Sequence, residues 1–144
     1  MIKYKKIISL LVVFSFSIIF NNANASIKIK ELGKSKSWFA FTKIGKDKSC
    51  YIFSEPNKTT GNFDRKNRSK AGIFVVNTKG GVKYEVSVSA GFKFKHRTPI
   101  IFDVDGKKTN FFSNEDTAWS ESAKVDRLLV QSMRKGRELK VTGI

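Results

Sequence analysis

The strongest constraint on the fold is a run of alternating apolar and polar residues at positions 84–95. Apolar side chains occupy the even positions, from Tyr84 through Val86 and Val88 to Phe94, whereas the odd positions are polar or glycine. A period of two places the apolar side chains on one face of a β-strand. The run therefore predicts a half-exposed strand with a bend at Gly91.

Shorter apolar runs flank this segment, and turn residues separate them. Residues 45–48 predict a hairpin loop, and Asp105-Gly106 is typical of a type I′ turn. Residues 26–37 are rich in Lys and weakly patterned, and we interpret them as a lead-in segment. The remaining predicted strands cover residues 38–42, 50–53, 73–76, 100–104, 108–112 and 138–142, and a turn at residues 114–116 precedes a large apolar anchor at Ala118-Trp119.

One late segment has the period of a helix, at about residues 122–135. Ser120 or Ser122 can cap its start, and Gly136 can close its end. About seven short strands followed by one helix predict a mainly β protein, an antiparallel β-sandwich or barrel-like domain. The apolar face of the helix is formed by Val125, Leu128, Leu129 and Met133.

The first 25 residues follow the pattern of a cleavable signal peptide. Three lysines precede an apolar run at residues 7–20, and Ala23-Asn24-Ala25 supplies the small residues that a signal peptidase requires. The alternative is an uncleaved anchor, but the run of 14 residues is shorter than the about 20 that a spanning helix needs. We therefore expect cleavage after Ala25 and a single mature domain at residues 26–144.

The predicted mature domain is strongly basic. It contains 25 basic and 12 acidic residues, a net charge of +13, and Lys outnumbers Arg by 22 to 6 in the whole sequence. Such a charge favours anionic partners. Phosphate and base recognition favours Arg, so we expect no nucleic-acid partner. An AT-rich genome also encodes many lysines, and the composition leaves both explanations of the charge open.

Two stretches concentrate the positive charge and are the candidate interaction sites. One ends a long polar loop at residues 57–70, and the other follows the centre of the alternating run. Long surface loops are frequent locations of binding residues. The candidate residues are Arg65, Lys66, Arg68, Lys70, Lys93, Lys95 and Arg97.

Cys50 is the one cysteine of the sequence, so no disulfide can form within the chain. Free cysteine is among the most buried residue types, which favours a buried thiol on a strand. The alternatives are an intermolecular disulfide and a reactive thiol. No neighbouring His, Asn or Asp motif supports a nucleophile, and Cys50 is accordingly a candidate free thiol.

No motif of the sequence points to catalysis or to a cofactor. There is no P-loop, no dinucleotide fingerprint and no G-x-S-x-G. His96 lacks the neighbours of a zinc ligand and is expected at the surface. Asp103, Asp105 and Gly106 faintly resemble a calcium loop, but a hairpin turn explains them better. We predict a non-enzymatic protein without a metal or cofactor.

Several short motifs along the chain resemble the invasion-associated locus B family of bacterial exported proteins. The resemblance covers about residues 38–143, and the order and spacing of the motifs carry it. The motifs are Cys50-Tyr51, Ser54-Glu55-Pro56, Gly61 with Arg65, Phe74-Val75-Val76, residues 85–92, Phe94-Lys95, residues 116–119, Asp126, Leu129-Val130 and residues 133–136.

The resemblance implies a β-rich envelope domain in the periplasm, or secreted to the surface, of a Gram-negative bacterium. It implies action through protein or cell-surface interaction and no known catalytic residues. The alternative function is binding of lipopolysaccharide or polysaccharide through the basic surface. Membrane contact is expected from the signal peptide alone. The cysteine pair that some members have around the first hairpin is absent, because the strand near Phe41 has no cysteine.

Members of this family usually continue beyond the position of Val141 to Gly143 and add a final strand. Compared with them, a chain that stops at Ile144 would be a fragment or a frameshifted product, or a partner strand would complete it. An incomplete sheet leaves an unpaired strand edge. We therefore expect the isolated domain to aggregate or to form oligomers through a C-terminal strand edge.

Overall fold

The computed structural model describes residues 27–64 and 66–144. The predicted signal peptide and the candidate residue Arg65 lie outside the described residues. Nine β-strands and one helix follow one another along the described chain. Their bounds are β1 (Lys28–Ser35), β2 (Trp38–Ile44), β3 (Ser49–Ser54), β4 (Gly72–Thr78), β5 (Glu85–Ser89), β6 (Ile100–Val104), β7 (Lys107–Asn114), β8 (Thr117–Trp119), α1 (Ala123–Lys135) and β9 (Leu139–Thr142).

The described strands form one antiparallel sheet in the order β1-β2-β3-β4-β5-β8-β7-β6-β9. Strands β1 to β5 follow one another as a meander, and β8, β7 and β6 continue the sheet in reverse chain order. Strand β9 then pairs with β6 and lies at the edge. The predicted mainly β class, with antiparallel pairing and one late helix, is confirmed.

The central strand, β5, is shorter than its alternating sequence predicts. Tyr84 takes a left-handed backbone conformation, with φ at 62°, and so the strand begins only at Glu85. Gly91 has φ at 74°, a conformation that is strained for residues with a Cβ, and the chain turns away there. The predicted bend at Gly91 is therefore the end of the regular strand.

Both faces of β5 are buried at the centre of the strand, whereas the sequence predicts a half-exposed strand; Glu85 and Ser89 at its ends are partly exposed. Val86 and Val88 are buried as expected, but Ser87 on the opposite face is only 7% exposed. Ser87 lies directly between Phe74 on β4 and Trp119 on β8. The prediction was wrong on this face because the large side chains of two neighbouring strands flank a small residue.

The segment that we predicted as a lead-in forms an edge strand, β1. Every residue of β1 is exposed, and a bulge between Glu31 and Gly33 interrupts its pairing with β2. An edge strand with no buried face has no alternating pattern, which explains why the sequence did not reveal it. The lysines and the bulge are features that natural edges use to discourage pairing with other chains.

Helix α1 has the predicted position and caps. Ser122 is the N-cap and accepts a hydrogen bond from the Val125 N–H, and the Gly136 N–H donates to the Ser132 carbonyl. Leu129 is buried in the core, but Leu128 is 48% exposed although its spacing predicted a core position. The predicted helix at about 122–135 is confirmed.

The core lies between α1 and the face of the sheet on which Val86 and Val88 stand. Its buried apolar side chains come from β4 to β8 and α1, and Trp38 on β2 packs against them from the side. We call this the inner face of the sheet. The buried members are Val75, Val86, Val88, Ile100, Phe102, Val104, Phe111, Ala118 and Leu129.

A buried carboxylate joins α1 to the sheet. Asp126 is 7% exposed and accepts hydrogen bonds from the Val86 N–H (3.1 Å) and the Ser120 hydroxyl (2.6 Å). Strand β8 ends opposite Ser87, so it offers no partner to Val86. Asp126 supplies that partner and fixes the helix above β5.

Among the described residues, no helix is long and apolar enough to cross a membrane.

Candidate functional site

The fold brings the two predicted basic stretches together. The Ser69 N–H donates to the Gly91 carbonyl (2.9 Å), and Arg68 Nε donates to the Ala90 carbonyl (2.8 Å). A Cβ at position 91 would collide with the Ser69 carbonyl, so this close approach requires glycine. We call residues 66–70 and 90–97 the basic loop pair. It unites all the candidate interaction residues that the structure describes.

Arg68 holds the loop pair together. Its guanidinium lies over the rings of Phe63 (4.4 Å) and Phe92 (5.6 Å), which stack on each other with centroids 5.7 Å apart. A cation placed over aromatic faces and bonded to a carbonyl is a structural contact. Arg68 is half-buried, and we assign it to positioning the loops rather than to a ligand.

Two further candidates are paired with acids at the surface. Lys70 lies 3.2 Å from Glu55, and Lys93 lies 2.6 Å from Glu115. The hydrogen bond to Glu115 and the charge of this carboxylate raise the pKa of Lys93. Exposed ion pairs of this kind are weak, so both lysines can exchange their partner for another anion.

The remaining candidates are available to a ligand. Lys66, Lys95 and Arg97 are exposed, and within residues 27–64 and 66–144 their side chains form no ion pair. The nearby Asp64 is engaged by the Lys66 N–H (2.8 Å) and the Asn67 amide (2.7 Å). The loop pair thus presents three unneutralised cations from two distant parts of the sequence.

Cys50 is exposed, and the favoured prediction of a buried thiol was wrong. It lies on β3, where its Sγ is 3.7 Å from the Thr42 hydroxyl. Helix α1 packs over β5 and β6 and contributes no such cover to β3. A strand residue that points to the inner face is therefore still accessible at this end of the sheet.

The Asp105-Gly106 turn is the predicted hairpin. Both residues have positive φ, 49° and 89°, as a type I′ turn requires. The Arg137 and Glu138 N–H groups each donate to the Asp105 carboxylate at 2.9 Å and hold its pKa below the ordinary value. Within the described part of the chain, no three His, Cys, Asp or Glu side chains are grouped to hold a metal ion. His96 is exposed, as predicted.

A second candidate surface lies on the face of the sheet opposite to α1. Directly paired residues of seven neighbouring strands form one row across this outer face, and five of them are aromatic. We call it the outer aromatic row. In strand order it consists of Lys34, Phe39, Phe53, Phe74, Ser87, Trp119 and Phe112.

The row is held by contacts between its own rings. Phe53 and Phe74 have centroids 4.7 Å apart, and those of Phe112 and Trp119 are 6.0 Å apart. Lys34 Nζ lies 4.6 Å from the centroid of the Phe39 ring. Phe112 is 57% exposed, and the other rings are partly exposed. Phe41 and Tyr51, which stack at 5.2 Å, extend the aromatic surface beside the row.

The sequence did not reveal this row, because each strand contributes only one of its residues. The rings become neighbours only through the pairing register of six strand pairs. The buried Asp126 also went unassigned, but its signal was readable. Asp126 precedes Leu129 by three residues and Met133 by seven, so it lies on the apolar stripe of the helix.

Comparisons with known proteins do not assign the chain to a family. No family model, no curated protein and no solved structure matches the chain.

Proposed function

We propose that this chain is an exported, non-enzymatic protein of a Gram-negative envelope that acts by interaction at a cell surface. The proposal rests on the signal-peptide pattern of residues 1–25 and on the resemblance to invasion-associated locus B proteins. Its location would be the periplasm or the outer surface. The function that the geometry supports best is binding of an anionic polymer, such as lipopolysaccharide or an acidic polysaccharide.

The convergence of the basic loop pair is the observation that carries this proposal. Lys66 and the pair Lys95 and Arg97 are about 30 residues apart in the sequence, yet the Ser69–Gly91 and Arg68–Ala90 hydrogen bonds bring their loops into contact. Clustered cations attract a polyanion more strongly than the same charges spread over the surface. Lys-rich clusters act as point charges and suit polymers without a fixed pattern of phosphates.

The test separates this local cluster from the overall charge of the chain. Lys66, Lys95 and Arg97 are replaced by glutamine in one variant, and the matched control carries Lys124→Gln, Arg127→Gln and Lys135→Gln on exposed positions of α1. Both variants lose two lysines and one arginine. Binding to purified lipopolysaccharide and to neutral dextran is measured over a series of salt concentrations.

We expect the loop variant to bind lipopolysaccharide about tenfold more weakly, and the control to change less than about threefold. Equal losses of binding in the two variants would show that binding depends on the net charge of the whole chain. The many lysines that an AT-rich genome encodes would give such a charge without any local site. Binding that does not weaken with salt would contradict an electrostatic mechanism.

Association with a protein partner or a second copy is the other candidate function, and the β9 edge favours it. The Asp105 N–H donates to the Glu138 carbonyl (3.2 Å). In an antiparallel ladder, hydrogen-bonded residue pairs alternate with pairs that share no hydrogen bond. The main-chain groups of Lys140 therefore point to β6, while those of Leu139 and Val141 point away from it. Strand addition would pair these outward groups.

Light scattering after size-exclusion chromatography tests this edge. We expect a concentration-dependent dimer or larger oligomer. A monomer that unfolds cooperatively at every concentration would contradict association through β9.

A further inference from the structure

We propose that the outer aromatic row is a contact face for an anionic lipid surface. This surface is independent of the basic loop pair, so it goes beyond the proposed binding of a polymer. The sequence predicts membrane contact through the signal peptide alone. The outer aromatic row would give the folded domain a second, reversible contact with a membrane.

The row has the position and dimensions of a docking face. It lies opposite to α1, on the face of the sheet that this helix leaves uncovered. Seven strands at about 4.8 Å spacing give a row of about 29 Å. The partly exposed Trp119 and the more exposed Phe112 lie at one end of the row, and Lys34 lies at the other. Tryptophan side chains such as Trp119 are enriched where proteins meet the lipid–water interface, and the phenylalanines of the row add apolar area beside it.

The lysines around the row favour lipid over a protein partner. Lys34 lies across the Phe39 ring, and Lys43 is paired directly with the exposed Ile29 on the same face. Protein interfaces are depleted of lysine. At a membrane, a lysine can instead bury its stem among apolar groups while its ammonium reaches the phosphates.

The net positive charge of the chain, rather than that of the face itself, favours an anionic surface. Glu31 and Glu85 lie in the row beside the aromatic one, so the outer face by itself is close to neutral. The attraction comes from the net charge of the chain, which is +16 over all residues and +13 without the predicted signal peptide. A basic protein is drawn to anionic lipid within about one Debye length of the surface.

The orientation of the rings argues against sugars and bases as the occupant. Phe41 and Tyr51 stack at an interplanar angle of 24°, and Phe112 and Trp119 at 29°. Rings that stack on one another cover part of each other's faces. Sugars and bases bind by stacking on free ring faces, whereas acyl chains and glycerol groups pack against ring edges equally well.

The two tryptophans of the chain are built-in probes, because one lies on each face. Trp119 belongs to the outer aromatic row, and Trp38 packs against the core of the inner face. A Trp38→Phe variant therefore reports only from the row, and a Trp119→Phe variant only from the inner face. Both variants keep an aromatic ring at the altered position, and thermal unfolding checks that each is folded.

The experiment uses vesicles of phosphatidylglycerol and phosphatidylcholine with brominated acyl chains, which quench nearby tryptophan. We expect about fivefold stronger quenching in Trp38→Phe than in Trp119→Phe, and about tenfold weaker binding to vesicles of phosphatidylcholine alone. The N-terminal residues are the same in all variants, so their own affinity for lipid cancels in the comparison.

A second pair of variants tests the row without relying on fluorescence. Phe112→Ser removes the most exposed ring, and the matched control Leu128→Ser removes an exposed apolar side chain from α1. We expect only Phe112→Ser to reduce co-sedimentation with the anionic vesicles, by about fivefold.

Three results would overturn the proposal: no quenching of Trp119, equal quenching of both tryptophans, or equal losses in Phe112→Ser and Leu128→Ser. Failure here leaves polymer binding untouched, because the vesicles contain no lipopolysaccharide. Conversely, the glutamine variant of the basic loop pair should bind the polymer about tenfold more weakly and keep the quenching of Trp119.

Discussion

Strands β1 to β3 and the rest of the described chain are parts of one sheet, but different forces hold them. We call residues 28–54 the N-terminal limb and residues 72–144 the C-terminal body. Every buried apolar side chain among the described residues belongs to the body, and Thr42 is the one buried residue of the limb. The limb meets the core at the partly buried Trp38 and through the pairing of Ile52 on β3 with Val75 on β4.

The limb is held by main-chain pairing and by ring contacts on the outer face. Phe39, Phe41 and Tyr51 form a chain of stacked rings that reaches Phe74 on β4. Cross-strand aromatic pairs contribute modestly to stability compared with the burial of a core side chain. The comparison shows that main-chain pairing and ring contacts with neighbouring strands are enough to hold a strand in the sheet, provided that another part of the molecule supplies the hydrophobic core.

The largest effect is expected from a pair of identical substitutions, one in each region. Phe102→Ala in the body removes a side chain that is 0% exposed and should lower the free energy of unfolding by about 3–5 kcal/mol. Phe39→Ala in the limb should cost about 1 kcal/mol or less. Urea unfolding measures both. Equal losses would show that the limb belongs to the core after all.

A smaller loss should follow from removing the carboxylate that joins α1 to β5. Asp126→Ala leaves the Val86 N–H without its buried acceptor, whereas the Ser120 hydroxyl keeps only the Ser122 carbonyl at 3.2 Å. This should cost about 2–3 kcal/mol. Asp126→Asn keeps an acceptor oxygen and serves as the control, with a smaller loss expected. Urea unfolding again provides the measurement. An alanine variant as stable as wild type would show that the body does not depend on this link.

A change in stability that is limited to acidic pH is expected from the exposed carboxylate of Asp105 in the body. The Arg137 and Glu138 N–H groups hold the pKa of Asp105 below its ordinary value of 3.8. A lowered folded-state pKa adds stability that is present above the ordinary pKa and is lost as the pH falls through the folded value. Asp105→Asn should therefore show a shallower fall of Tm below about pH 4 than wild type. Identical acid profiles would argue against this contribution.

The smallest effect on stability is expected at the open inner face of the limb. The exposed Cys50 should react completely with a thiol reagent in the folded protein. Its alkylation should change the free energy of unfolding by less than about 0.5 kcal/mol, as for other surface changes. Mass spectrometry before and after labelling measures the reaction, with Cys50→Ser as the unreactive control. Labelling only in denaturant would mean that the limb is covered.

Elements with strong local signals were predictable, and those without them were not. The helix was located by the spacing of its apolar residues and by Ser122 and Gly136, all of which act within one turn. The β6–β7 turn was located by the backbone preferences of Asp105 and Gly106. Strand β1 has no such signal, because an edge strand that buries nothing has no reason to alternate.

The candidate sites divide in the same way. The basic residues of the loop pair were visible as clusters in the sequence, but their convergence depends on the docking of Ser69 on Gly91. The role of Arg68 as a structural cation could not be predicted, because Phe63 and Phe92 are five and 24 residues away from it. The outer aromatic row was invisible for the same reason.

The sequence by itself determined the mainly β class, the late helix with its caps and the hairpin turns, since these follow from backbone preferences and short-range periodicity. Only the tertiary structure decided that β5 lies beside β8, that α1 covers one end of the inner face and that Cys50 is exposed. The physical reason is that burial depends on partners distant along the chain. The alternation of apolar and polar residues along a strand fixes which face of the sheet each side chain occupies, but not what will cover that face.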